Sequence, residues 1–220
     1  MKLFNFIRKE RDLSEEVEEG GSKKRELSGF WKKYVYVVGL VMALFHIYVL
    51  VFAPIAHWNL YSIHILFGFL LVFPLYRSST GSKGTVPWYD VILLILGVFA
   101  VGYCLVEARG MAYRMGAAPT TLDLVAIGII IALLLEGTRR IYGMILPSIA
   151  LLFLIYCLIG NHIPGVLGHR GYSLSKTISY MLGYEAIFGS PMNASATIVF
   201  LFIVFGAFLT MSGAGPFFID

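Results

Sequence analysis

Two histidines, His46 and His64, stand inside the hydrophobic runs 34–52 and 58–76; residues 34–76 also hold His57, in the break between those runs, but no Asp, Glu, Lys or Arg. An ionisable group there is a default candidate for a proton or ion path, because lipid penalises its charged form. A neutral imidazole bonded to a neighbouring helix is the simpler alternative, since it needs one partner where a relay needs several. Glu136, Arg139 and Arg140 form the densest charged group outside the amino-terminal tail. On a helix, Glu136 and Arg140 share a face and can pair, either anchoring the helix end and its turn or coupling a motion. Asn193, Ser195 and Thr197 open the last apolar run. Asn193 is an eligible helix cap, and free backbone donors at a helix start can meet an anion. Asn193-Ala194-Ser195 also has the form of a glycosylation acceptor, but it abuts the apolar run. In FIVFGAFLTMSGAG, Gly206, Gly213 and Gly215 suit either a broken helix lining a transport site or close packing of helices.

Other chemistries are absent from the sequence. There is no Gly-rich phosphate loop, no helically spaced carboxylate pair in the apolar region and no Cys/His cluster with metal spacing. An ATP-driven pump is therefore disfavoured, and no enzyme activity, metal, cofactor or nucleic-acid partner is expected. Cys104 and Cys157 lie in apolar runs and read as small packing residues rather than a disulfide.

The elements that must position these residues are membrane helices. The chain is 58% hydrophobic and 14% charged, too apolar to cover a soluble globule. Sixteen of its 30 charged residues precede Tyr34. Residues 1–33, with the runs RKERD, EEVEE and KKRE and a GGS break, are expected to be a disordered cytoplasmic tail, with a short surface helix over 3–7. It is not a signal peptide, because the first apolar run begins only at Tyr34. A span needs about 20 apolar residues, and six are expected, at 34–52, 58–76, 86–106, 121–138, 141–161 and 194–211. Pro54 in APIAHWN divides the first two, Thr121 can cap the fourth, and Asp123 suits the positive end of its dipole. Arg139 and Arg140 leave almost no loop before the fifth span. The loop NHIPGVLGHRGYS then leads to 173–188, where Leu174, Ile178, Met181 and Leu182 share a helical face. Lys176 and Glu185 argue against a crossing there, so this helix is expected to lie in the interface or brace the others. The fold class is an all-α polytopic membrane protein of about six transmembrane helices plus one interfacial helix. Apart from the tail, Lys and Arg are balanced between the two sides, four against four. The basic residues before Tyr34, including Lys32 and Lys33, assign the amino terminus to the cytoplasm.

The stretch EGTRRIYGMILPSIALLFLIYCLIGNHIPG, followed by YEAIFGSPMNASATIVFLFIVFGAFLTMSGAGPFFID, resembles the fused permeases of tripartite ATP-independent periplasmic (TRAP) transporters, the type associated with TAXI binding proteins. The likeness spans residues 30–220 and is specific from Glu136 onward. It implies a four-helix small-permease-like domain at 34–138 and the start of a large transport domain at 139–220. It also implies a bacterial inner-membrane symporter that receives an organic acid or similar small solute from a periplasmic solute-binding protein. Import would be driven by a Na or H gradient through an elevator-like movement. Arg139, Arg140, Gly143, Pro147, Gly160, Pro164, Gly165, Gly189, Phe205, Gly206, Ser212 and Gly213 match the family pattern and are expected to define the fold. The family's Ser/Gly-rich re-entrant hairpins, which hold cation and solute, are expected beyond Asp220, in the remainder of the permease. Substrate-binding residues are expected there too, so these 220 residues alone are not expected to transport. A non-transporting membrane scaffold that binds partner helices is the alternative.

Overall fold

The computed structural model describes residues 24–78, 85–115 and 117–212. The expected surface helix at 3–7, the tail as far as residue 23, and Gly213 and Gly215 lie outside the described residues. Among those described are eight helices: α1 Gly29–Val51, α2 His57–Leu75, α3 Trp88–Val106, α4 Ala108–Arg114, α5 Thr121–Tyr142, α6 Ile145–Ile159, α7 Leu174–Met181 and α8 Ser190–Met211. Six of them are long and apolar enough to cross a bilayer: α1, α2, α3, α5, α8, and α6 with the 3-10 turn that extends it to His162. The chain is an all-α, multi-pass membrane protein. The short α7 packs against α5 and α6, as a brace between them.

The centre of the molecule lies among α2, α3 and α5. Phe69 and Phe73 of α2, Ala100 and Val101 of α3, and Ile127 and Ile130 of α5 are all buried there. At Gly97 of α3, an added Cβ would lie 3.0 Å from the Phe69 ring, so a small residue lets the two helices approach closely. The α1 helix packs on α2, and α8 packs across both. On the other side, α6 packs on α5.

Residues 24–33, expected as the end of a disordered tail, are ordered. The Lys24–Ser28 stretch runs beside the end of α2, with an antiparallel bridge from Lys24 to Tyr76 and a 2.6 Å hydrogen bond from the Arg25 amide to the Leu75 carbonyl. The first span begins at Gly29, so the expected boundary at 33/34 falls inside a helix. Composition marked this stretch as polar, but Arg25 has a buried partner 65 residues away that composition cannot reveal.

Other helix ends also differ from expectation. Thr120, one residue before the expected cap, caps α5: its hydroxyl accepts from the Asp123 amide while the Asp123 carboxylate accepts from the Thr120 amide. This helix continues to Tyr142, so Arg139 and Arg140 occupy its last turn, where cations suit the dipole. The reversal is made by Gly143 at φ 82°, ψ −166°, a region only glycine adopts readily. Pro147 then lies in the first turn of α6, where a missing N–H costs nothing. The expected start of the last span at 194 moves back to Ser190, and Asn193 is inside the helix rather than capping it. The α8 helix widens into a π turn at Ser195–Val199.

Candidate functional site

His46 and His64 are brought together. The His46 ring is fully buried, with Nδ1 2.8 Å from the Met42 carbonyl and Nε2 3.0 Å from His64 Nδ1. His64 Nε2 lies 3.2 Å from the Ser195 hydroxyl on the π turn of α8. Phe200 stacks on His46 with centroids 4.2 Å apart, and Phe45 and Phe67 close around the same ring. The chain Met42–His46–His64–Ser195 thus joins α1, α2 and α8 inside the apolar layer.

The contacts fix the proton positions when both rings are neutral. A carbonyl only accepts, so His46 carries its hydrogen on Nδ1 and has a lone pair on Nε2. His64 must then donate from Nδ1, which leaves its Nε2 as an acceptor for the Ser195 hydroxyl. Donation runs from Ser195 through both rings to Met42.

Glu136, Arg139 and Arg140 sit at the opposite end of the bundle, and the expected Glu136–Arg140 pair forms at 2.7 Å. Glu136 also accepts from Arg139 at 2.7 Å, and Arg139 reaches Ser78 at 2.7 Å. The group extends further than the sequence suggested. Arg140 Nη1 lies 2.8 Å from Asp90 Oδ1, Arg25 Nη2 donates to Asp90 Oδ2 at 2.8 Å, and all three side chains are at most 1% exposed. Arg25 also donates to the Pro74 carbonyl at 2.9 Å, Arg140 donates to Tyr76 at 3.2 Å, and the Arg140 guanidinium lies 5.0 Å from the Phe73 ring centroid. Two arginines from distant parts of the chain thus clamp one aspartate and cap the exposed carbonyls at the end of α2.

A second polar knot closes the other face. Asp123 accepts from Tyr103 at 2.8 Å, from Arg114 Nε and Nη2 at 2.9 Å each, and from the Thr120 amide at 2.8 Å. Hydrogen bonds from Arg114 to Asp123 first, and to Glu107 as well, raise the Arg114 guanidinium above its ordinary range and keep it charged. The knot ties α4 and the loop after it to α3 and α5.

The expected glycines are spread among the helices. Gly189 is crowded: a Cβ there would lie 2.9 Å from the Ala186 carbonyl and 3.0 Å from that of Tyr184. Gly206 lies within regular helix, with nothing within 4 Å of a Cβ position, and the irregularity of α8 falls at Ser195–Val199 instead. Sequence reasoning missed Arg25 and Asp90 as a pair, and it missed the link between Ser195 and the histidines. The usable signal for the first was an aspartate in the opening turn of an apolar helix, which needs a cation. Among the described residues, no group of three or more His, Cys, Asp or Glu is placed to hold a metal ion. Compared with protein-family models, curated proteins and solved structures, the chain matches none.

Proposed function

We propose that this chain is the amino-terminal part of a TRAP-type secondary-transporter permease. In this reading it lies in a bacterial inner membrane with its amino terminus in the cytoplasm. Joined to the remainder of the permease, it imports an organic acid or similar small solute that a periplasmic binding protein delivers, driven by a Na or H gradient. Its part in that cycle is to be the frame against which a moving transport unit works.

The observation that carries this reading is a contrast in packing. In its most apolar window 44% of α2 is buried, against 11% for α6 and 6% for α8. The inner helices are pinned at one end by a buried charged knot and at the other by a partly exposed one, as a stationary part requires, while α6 and α8 present apolar faces such as Phe153, Phe202 and Ile203 outward. Those faces suit further membrane helices as well as lipid. The RRIYG and Pro147 pattern that carries the family resemblance builds the reversal from α5 into α6, which is where the frame would hand over to the transport unit.

Uptake measurements test the proposal. In proteoliposomes supplied with a periplasmic binding protein and a cation gradient, the 220 residues alone are expected to give no solute accumulation. Co-reconstitution with the remaining permease segment is expected to restore it. Accumulation by the short chain would refute the division of labour, and stable assembly without any gradient-driven uptake would favour the scaffold alternative.

A further inference from the structure

We propose that the His46–His64 pair is a binding site for a single proton shared between the two rings, with the Ser195 hydroxyl of α8 as its gate. The proposal stands on the geometry of the pair and is independent of the transport reading.

In the neutral chain every ring nitrogen is engaged, and the only group that can change role without moving heavy atoms is the Ser195 hydroxyl. If it turns about its Cβ–Oγ bond, it presents a lone pair to His64 Nε2 instead of a hydrogen. Its own hydrogen can then turn to a backbone carbonyl of the preceding turn, as Thr197 donates to the Asn193 carbonyl at 2.6 Å. A proton from water can now bind His64 Nε2. His64 becomes an imidazolium that donates to Ser195 Oγ on one side and to His46 Nε2 on the other, so no N–H is left unpaired. Passing the Nδ1 hydrogen of His64 across the 3.0 Å contact gives the equivalent state with His46 as the cation, still bonded to Met42. The two states share one set of heavy-atom positions, so the proton belongs to the pair.

The capacity is one. A second proton would set His46 Nε2–H against His64 Nδ1–H across the same 3.0 Å and place two cations in ring contact. No acidic or basic side chain other than the two histidines faces the pair from the packed elements. On α1 the charged residues are Lys32 and Lys33, 13 or more residues from His46, and on α2 the remaining ionisable base is His57, stacked on Tyr61. The α8 helix has no Asp, Glu, Lys, Arg or His. His64 is half-buried and lies seven residues, about 10 Å of helix, from the start of α2. Occupancy changes what α8 feels: Ser195 goes from donating to a neutral ring to accepting from a cation, a stronger charge-assisted bond.

Histidine-selective 15N NMR on the intact chain in lipid nanodiscs, between pH 8 and pH 3.5, tests this. The His46→Gln and His64→Gln variants assign the signals. At pH 8 both rings are expected to be protonated at Nδ1 and bare at Nε2. On acidification the pair is expected to take up one proton, in a single step that changes both rings together. Ser195→Ala, which removes the acceptor and leaves the rings in place, is expected to abolish uptake by the pair over this range. An Nε2–H tautomer at pH 8, two separate steps ending with both rings cationic, or unchanged uptake in Ser195→Ala would each overturn the proposal. The wild-type and Ser195→Ala spectra decide it even if a glutamine variant fails to fold.

Discussion

Asp90 is the residue on which the amino-terminal end of the bundle turns. It pairs with both Arg25 and Arg140 in a buried site, with Glu136 sharing Arg140, and neither arginine can shed its charge. Asp90→Asn leaves Arg25 buried beside a neutral amide and Arg140 with Glu136 alone, and breaking a buried pair in this way costs about 3–5 kcal/mol. Thermal unfolding in detergent should show that loss. Replacing Arg25, Asp90 and Arg140 together with Met, Leu and Met should cost less than the single change, because desolvating the ions offsets most of their attraction. A triple variant less stable than Asp90→Asn would contradict this account. The same residues mark the limit of what the sequence reveals. The pairing of Glu136 with Arg140 follows from helical spacing, whereas Arg25 to Asp90 and His64 to Ser195 depend on how separate helices pack, which no local pattern encodes.

Helix ends and irregularities separate glycines that look alike in sequence. Gly143 has open space around it but a backbone shape that other residues avoid. Gly143→Ala should therefore destabilise by about 1–3 kcal/mol through strain alone. Gly189→Ala should also destabilise, through collision with the Ala186 and Tyr184 carbonyls. In contrast, Gly206→Ala should be neutral or stabilising by up to about 1 kcal/mol, since it fills open space in a regular helix. A shared set of melting curves ranks the three, and a Gly206→Ala loss as large as that of Gly143→Ala would point to a backbone contact at Gly206. The six apolar runs were legible from length and charge alone, because the bilayer sets both. Their ends were less so. The α5 helix outruns its expected end because a long side chain such as Arg140 can stay in the apolar layer when an acid awaits it. The short α4 carries too weak a pattern to show before its Arg114–Asp123 contact is known. The π turn of α8 has no sequence signature at all.

At the scale of the whole molecule, the three crossings α1, α2 and α3 place the loop at residues 117–120 on the face opposite Lys24–Ser28. On the proposed orientation, with the amino terminus in the bacterial cytoplasm, a Cys at the exposed Ala118 should react with an impermeant maleimide added to intact spheroplasts, and one at the exposed Glu26 only after lysis. The reverse pattern would invert the assigned orientation, and labelling of both from outside would break the six-span arrangement. The clamp on Asp90 also bears on how the chain is made. Arg25 emerges from the ribosome 65 residues before its aspartate, and the second arginine follows only when α5 is complete. Until then Arg25 and Asp90 have only each other as charged partners, so the knot closes only after four spans have been made. Closure is in effect a signature that the first four spans are in place, and a chain stalled before Arg140 would leave that end loose.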